Sequence, residues 1–312
     1  MLPSDDWNDM EQYTAFTNSC GVAKVPLSVV RVAGSDRAKF IHNFCTADIK
    51  KLEQDSCCEA FFLNTKGKTI CHAIIVSREI DLLIVSTTRA PEVLIENLDR
   101  YLLSDDVQLQ DVSSMWRSVF VSGPETNAVL DKSDIRVPPE SKISNTGFQV
   151  VLQAELAGAG VLILEPTEGD VDVAQSLSDN GAVACSIDAF QRLRIEQQTP
   201  WCESEVTDAC LPQEFRRDSK AISFTKGCYL GQETVARLDA LGHVNRYLAG
   251  FEIVAGEATI GEPIRKDEKK IGVVTSLCES PDGKKIGLGF LKVEFTKPGE
   301  IVECEGLQLK IN

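Results

Sequence analysis

The stretch KGCYLGQETVAR spans residues Lys226 to Arg237 and carries the strongest local signal in the chain. Gly227 and Gly231 predict a tight turn, because glycine adopts backbone conformations that other residues avoid. Gly231 is also an acceptable N-cap for a helix that ends before Gly242. The stretch therefore predicts a turn followed by a short helix.

Cys228 lies in this turn, just before the predicted helix, with Lys226 two residues away. The positive end of a helix and a nearby ammonium group both favour a thiolate, so Cys228 is the candidate reactive thiol. The structural alternative is a strand–turn–helix joint in which Cys228 only fills space. Likewise, Glu233 and Arg237 have the spacing of an ordinary ion pair on a helix surface.

The charge distribution singles out the same region. The chain has 312 residues and a net charge of −15, which excludes a protein whose whole surface binds nucleic acid or anionic membranes. Between Arg216 and Arg246, however, six Lys and Arg residues face three Asp and Glu residues. This window of +3 predicts where an anionic ligand is drawn to the protein.

The order of elements predicts an α+β fold. Strands and helices mix without a regular βαβ alternation, and no strand leads into GxGxxG, which argues against a Rossmann domain. An acidic lead-in precedes a first strand at Leu27 to Val32. Short strands separated by Gly and Pro fill residues 246–312 and predict a small all-β barrel or sandwich, so residues 1–245 form the other region.

The eleven cysteines and three histidines suggest neither disulfides nor a metal centre. No secretory signal is recognisable at the start, so reduced thiols of a cytoplasmic protein are expected. No apolar run approaches the roughly 18 residues of a membrane span. His42, His72 and His243 lack paired CxxC or HxxxH spacing, which favours ordinary packing over a metal site.

Taken together, these residues resemble a known family. KGCYLGQETVAR closely resembles the signature of the YgfZ family, folate-binding relatives of the glycine-cleavage T-protein (aminomethyltransferase). Supporting resemblances, in the same order and spacing, occur at residues 32–48, 63–68, 193–200 and 211–214.

The resemblance implies two linked α+β lobes, discontinuous in sequence over residues 1–245, and a C-terminal β-barrel at 246–312, arranged around a central channel. Tetrahydrofolate, or a one-carbon derivative of it, is the implied cofactor. Glu196 matches the T-protein glutamate that hydrogen-bonds the pterin, and a carboxylate can accept two hydrogen bonds from an aminopyrimidine edge. Lys226 or Arg237 is implied near the anionic tail, and Tyr229 and Gln232 complete the implied cofactor-binding set.

One departure from the T-protein pattern matters for activity. The T-protein carries an aspartate in the segment that aligns with residues 69–74, where this chain has Cys71 and His72 and no Asp between Asp55 and Asp81. Without that carboxylate, aminomethyl transfer loses its expected acid–base group.

Three hypotheses follow. The first is a tetrahydrofolate-binding accessory protein for assembly or repair of iron–sulfur clusters. Its partners would be iron–sulfur proteins or assembly factors, including enzymes that modify tRNA, without direct contact to nucleic acid or membrane. The second is a folate-dependent aminomethyl- or methyltransferase, which is an enzyme. The third is an interaction module that no longer binds folate, since fold alone does not fix function.

Overall fold

The computed structural model describes residues 5–146, 149–169, 171–280 and 282–312, with side chains from residue 11 onward. The α-helices are α1 Asp5–Asn18, α2 Arg37–His42, α3 Pro91–Asp99, α4 Thr126–Lys132, α5 Val173–Asp179, α6 Ile187–Glu196, α7 Asp218–Ala221 and α8 Gln232–Leu241. Short 3-10 helices lie at Ile49–Lys51, Ser113–Met115, Pro212–Phe215 and Val293–Phe295. Within the described ranges, no helix combines the length and the apolar character that crossing a membrane requires.

The strands form three sheets, and they follow one another along the chain as β1 Gly21–Lys24, β2 Ser28–Ala33, β3 Ser56–Leu63, β4 Thr69–Ser77, β5 Asp81–Ser86, β6 Gln108–Asp111, β7 Trp116–Ser122, β8 Ile143–Asn145, β9 Val150–Glu155, β10 Ala159–Pro166, β11 Val183–Cys185, β12 Arg246–Ala255, β13 Pro263–Lys266, β14 Lys269–Glu279, β15 Lys285–Lys292, β16 Ile301–Cys304 and β17 Leu307–Ile311.

Lobe one is an antiparallel sheet with the strand order β3-β4-β5-β2-β6. All six residues of β5 are buried, because elements cover both faces of the sheet. Helices α2 and α3 supply the apolar side chains on one face, with Phe40 and Leu94 buried among Phe61, Phe62 and Ile84 of the strands. This packing fixes the position of the chain that follows α2, which later contacts the KGCYLGQETVAR segment.

Lobe two is a six-stranded sheet with the order β11-β1-β7-β10-β9-β8. Strand β1 precedes lobe one in the chain, whereas β7 to β11 follow it. β1 pairs antiparallel with β7 and parallel with β11, so lobe two combines segments from both sides of lobe one. Phe120 and Phe190 meet edge to face in its core, with their ring centroids 5.5 Å apart.

The C-terminal sheet curls into a nearly closed barrel with the order β13-β14-β15-β12-β17-β16. Phe251, Leu291 and Leu309 fill its interior. The barrel is joined to lobe one by aromatic packing. Phe215 stacks on Phe61 with ring centroids 5.5 Å apart and meets Phe290 edge-on at 5.7 Å.

The predicted α+β class with a C-terminal barrel is confirmed. The beginning of the chain differs from its prediction as an acidic lead-in, because residues 5–18 form helix α1. Few residues of α1 are apolar, but Ala15 and Phe16 are buried in lobe two. Tertiary burial of these two side chains favours the helix where local periodicity does not predict it.

A buried ion pair connects helix α6, the segment after it and the barrel. Arg194 donates to the Glu205 carboxylate at 2.9 Å, and both side chains are at most 3% exposed. Glu205 also accepts from the backbone N–H of Trp201 at 2.9 Å and from the Ser276 hydroxyl of β14 at 2.5 Å. Arg194 donates further to Ser276 and to the Thr199 carbonyl. The pair is therefore well hydrogen-bonded, as buried charges must be.

Candidate functional site

The loop that contains Cys228 is anchored to lobe one by Lys226. The Lys226 ammonium donates to the backbone carbonyls of His42, Cys45 and Ala47 at 2.5, 2.7 and 2.7 Å. An ammonium group has three donors, so this contact uses them all. The side chain is buried, and burial lowers the pKa of Lys226.

This geometry corrects two expectations about Lys226. Its Nζ lies inside the protein, 4.8 Å from the centroid of the Tyr229 ring, and has no donor left for an anionic tail. The three carbonyls, rather than the thiol of Cys228, accept its hydrogen bonds. Tyr229 is buried as well, and burial raises its pKa to about 12. Both residues hold the loop in place instead of facing a ligand.

Gly231 of this segment and Gly67 of the turn between β3 and β4 allow the two turns to touch. Gly231 has φ of +80°, and a Cβ there would lie 2.7 Å from the Asn64 carbonyl oxygen. Gly67, in the turn between β3 and β4, has φ of +73°, and a Cβ there would lie 2.6 Å from Cβ of Thr234. Only glycine accommodates both the left-handed backbone and this close approach. The predicted turn and the following helix, α8, are confirmed, with Gly231 and Gly242 as its caps.

Cys228 lies at the surface of this anchored loop. All eleven cysteines fall within the described part of the chain, all are free thiols, and Cys228 alone is exposed. Solvent access is a condition for the reactive thiol expected from the sequence, and Cys228 meets it. The reactivity of Cys228 stays a prediction. Gln232 is half-buried at the start of α8 and donates its backbone N–H to the Tyr229 carbonyl at 3.2 Å. The thiol is therefore both accessible and held on a fixed backbone.

The side chain of His42 lies directly beneath this loop. A Cβ placed on Gly227 would be 3.8 Å from Nε2 of His42. On the other side of the ring, Nδ1 lies 3.2 Å from Oδ1 of Asp48. The sequence offered no signal for this pair, because the spacing from His42 to Asp48 corresponds to no metal or catalytic motif.

Glu196 occupies a different part of the molecule. It is the last residue of α6, exposed, and its Oε2 accepts a hydrogen bond from the hydroxyl of Tyr13 on α1. Partial burial and the negative charge of Asp282 raise the pKa of Glu196, whereas Lys284 opposes this shift. No described contact joins Glu196 to residues 226–237. Tyr13 was missed because it belongs to the helix that the sequence did not predict.

Cys71 and His72, which align with the T-protein aspartate, both contact other side chains. Cys71 is buried, and its hydrogen bond with Cys202, together with burial, raises the pKa of Cys71. His72 contacts Glu59, with Nε2 3.2 Å from Oε2. Glu59 also accepts two hydrogen bonds from Arg217. Burial raises the pKa of Glu59, but these hydrogen bonds outweigh it and lower the value overall. Neither Cys71 nor His72 is a free acid–base group.

Most basic residues of the window between Arg216 and Arg246 contact other groups of the protein. Five of its six basic residues have partners: Arg216 contacts Thr296 and Tyr247, Arg217 contacts Glu59 and Glu155, Lys220 contacts Glu155, Lys226 contacts three carbonyls, and Arg246 contacts Glu214. Arg237 on α8 is exposed and has no partner among the residues that the structure describes, Glu233 included. Arg237 is therefore the basic residue of this window whose side chain remains without a contact in the described part of the chain, and it is the candidate for attracting an anion.

A cavity of about 400 Å³ opens between lobe one and lobe two. Its lining includes Cys58 and Glu59 of β3, Gln153 and Glu155 of β9, and Lys220 of α7. None of the site residues expected from the sequence is among the described residues that line it.

Comparison with known proteins shows the same domain order. Residues 9–167 match the GCVT N-terminal domain, and residues 246–310 match the glycine cleavage T-protein C-terminal barrel domain. The chloroplastic "Putative transferase" of Arabidopsis thaliana is 32% identical, over 95% of this chain and 70% of that protein. An aminomethyltransferase of Caldanaerobacter subterraneus is 25% identical, over 94% of this chain and 83% of that protein.

The three-dimensional fold agrees with these sequence matches. The crystal structure of glycine cleavage system aminomethyltransferase T from Bartonella henselae superposes with a TM-score of 0.85 and 16% identity, over 97% of this chain and 88% of that one. The matched domains cover more than half of the chain and occur in the expected order. The chain belongs to the glycine cleavage T-protein family.

Proposed function

We propose that this protein binds tetrahydrofolate, or a one-carbon derivative of it, and acts as a folate-dependent transferase of one-carbon units. The observation that supports this most is that both T-protein domains occur, in order, along one chain. The relatives named aminomethyltransferase match over nearly the whole chain and support the same chemical class.

The carboxylate oxygens of Glu196 can accept hydrogen bonds from a pterin. One carboxylate oxygen accepts from Tyr13, whereas Oε1 has no hydrogen-bond partner among the described residues. An exposed carboxylate with a free oxygen can accept the N–H groups of an aminopyrimidine edge. We propose Glu196 for the pterin, Arg237 for the anionic tail and Gln232 as a polar neighbour, and we leave out Lys226 and Tyr229 because both are buried.

Bound tetrahydrofolate would supply the nitrogens that carry a one-carbon unit. The protein would supply the binding carboxylate and a reacting group. At the aligned position of the T-protein aspartate, Cys71 is buried and His72 is bound to Glu59. Cys228 is the accessible nucleophile, and thiolates are strong nucleophiles near neutral pH. We therefore propose thiol chemistry at Cys228 in place of carboxylate chemistry.

A second candidate function is support of iron–sulfur enzymes by a folate-binding accessory protein of the YgfZ type. The KGCYLGQETVAR segment and the exposed Cys228 favour it, because thiolates are preferred ligands of iron in clusters. Eleven free cysteines also favour a reducing compartment, in the first place the cytoplasm. In this role the protein binds folate without net turnover.

A turnover assay separates the two functions. The purified protein is incubated with tetrahydrofolate and a small aminomethyl donor, and the methylene derivative of the folate is measured by mass spectrometry. A transferase forms product over many turnovers, and Cys228→Ser lowers the rate about 100-fold or more because serine is a far weaker nucleophile. Cys304→Ser, in the barrel, is the matched control and keeps the rate.

Binding of tetrahydrofolate without formation of the methylene derivative would reject the transferase function. The accessory role then requires that cells lacking the protein lose activity of cluster-dependent enzymes, and that the wild type but not Cys228→Ser restores it. Full restoration by Cys228→Ser rejects the thiol in this role too.

A further inference from the structure

We propose that His42 accepts the proton of the Cys228 thiol and that Asp48 positions the His42 ring. The three residues then form a centre at which the thiol attacks an electrophilic carbon at the oxidation level of formaldehyde. This assignment deepens the proposed function and rests on it for the class of electrophile. The activation of the thiol itself rests on contacts beneath the loop.

The loop is fixed to the end of α2 on both sides of Cys228. Before it, the Lys226 ammonium donates to the His42 carbonyl at 2.5 Å. After it, the Leu230 N–H donates to the Asn43 carbonyl at 2.9 Å. Lys226 and Leu230, which lie two positions before and two positions after Cys228, therefore bind the carbonyls of His42 and Asn43. These contacts restrict how far the thiol can move from the His42 ring.

The ring is aimed at this loop. The His42 side chain is 5% exposed, and its Nε2 has no hydrogen-bond partner among the described residues. Nε2 faces Gly227, where the missing side chain leaves nothing between the ring and the residue before Cys228. An imidazole nitrogen that faces the loop and has no protein partner can accept a proton from a group on that loop.

Asp48 determines which nitrogen carries the proton. Oδ1 of Asp48 is buried and has no other donor among the described residues, and it lies 3.2 Å from Nδ1 of His42. The Lys50 N–H also points toward Nδ1, but at 3.5 Å this contact is long. A proton on Nδ1 satisfies the buried carboxylate and leaves the lone pair on Nε2, facing the loop.

Burial and the surrounding positive charges keep the ring neutral before reaction. Burial is the largest cause that lowers the pKa of His42 from its ordinary value of 6.5, followed by the ammonium groups of Lys226 and Lys50. Asp48 opposes this shift. A neutral imidazole at pH 7 can accept a proton, as a general base must.

The reaction balances without an oxidant or reductant. The proton of the Cys228 thiol moves to Nε2 of His42, and Asp48 stabilises the resulting imidazolium through Nδ1–H. A sulfur lone pair forms the S–C bond to the carbon of a C=N⁺ iminium group, and the π electrons of that bond move to its nitrogen. The imidazolium then releases its proton to water.

Alkylation with iodoacetamide, which needs no folate, tests this centre. In this reaction sulfur displaces iodide. The rate at Cys228 is followed between pH 5.5 and 9 in the full-length protein by peptide mass spectrometry. His42→Gln is expected to slow alkylation at pH 7 about tenfold or more and to move the pH profile to higher pH. Asp48→Asn shifts the profile in the same direction. His72→Gln, which removes another histidine held by a carboxylate, keeps the wild-type profile.

A second readout does not depend on the folding of the His42 variant. NMR titration of the His42 ring in the wild type, before and after Cys228 is blocked with iodoacetamide, is expected to show a changed pKa for His42 and none for His243. Superimposable alkylation profiles for wild type and a folded His42→Gln, or a His42 titration unaffected by blocking, overturn the proposal. Neither result bears on folate binding, which is measured separately.

Discussion

Replacing Lys226 with methionine is expected to lower the free energy of unfolding by about 3–5 kcal/mol. The substitution keeps the chain length but removes the ammonium donor from the carbonyls of His42, Cys45 and Ala47. The Ala47 carbonyl still accepts from the Ile49 N–H at 3.2 Å, so the carbonyls of His42 and Cys45 carry most of the loss. An unsatisfied buried polar group costs about 1–3 kcal/mol, and two carbonyls lose their donor together. Urea unfolding followed by circular dichroism measures the change.

Lys220→Met is the matched control for this prediction. Lys220 is about half exposed, and its ion pair with Glu155 is a surface contact, worth at most about 1 kcal/mol. A Lys226→Met protein within 1 kcal/mol of the wild type would show that the ammonium does not hold the loop. It would also make Lys226 a candidate ligand-binding residue again.

The second large effect concerns the buried pair of Arg194 and Glu205. Glu205→Leu leaves the Arg194 charge buried without its partner, which is expected to cost about 3–5 kcal/mol. Replacing both residues, as Arg194→Met with Glu205→Leu, is expected to recover most of this loss, because no uncompensated charge remains. A double-mutant cycle from urea unfolding of the four proteins measures the coupling.

Strict additivity of the two single substitutions in that cycle would contradict the account. It would mean that the two side chains contribute separately, through packing, rather than as an ion pair that joins α6 to the barrel. The Ser276 hydroxyl contacts both side chains, so Ser276→Ala serves as a smaller perturbation of the same network.

The fold was predictable where local patterns are strong. The glycine caps at Gly231 and Gly242 and the apolar position Val235 were sufficient to locate α8. Helix α1 was not predictable, because its stability depends on burying Phe16 in a core built mostly from residues far along the chain. The domain limits at 1–245 and 246–312 remain our proposal.

The site was predictable only in part, because charges find partners that are distant in sequence. The net charge of the window from Arg216 to Arg246 does not reveal Glu59 of β3 and Glu155 of β9, which form ion pairs with Arg217 and Lys220. Lys226 was expected near the anionic tail of a ligand, but the turn after α2 presents three carbonyls that bind it. Cys228 was found because glycines and helix caps are local signals.

Calorimetric titration with tetrahydrofolate measures whether this member of the T-protein family binds the folate through Glu196. We expect the wild type to bind, and Glu196→Gln to bind about 10- to 150-fold more weakly, as hydrogen bonds to a charged group contribute about 1.5–3 kcal/mol. Glu233→Gln, an exposed glutamate on α8, is the matched control and should bind like the wild type. Equal affinity of Glu196→Gln and wild type would contradict the assignment of Glu196, and no binding by the wild type would leave only a module that does not bind folate.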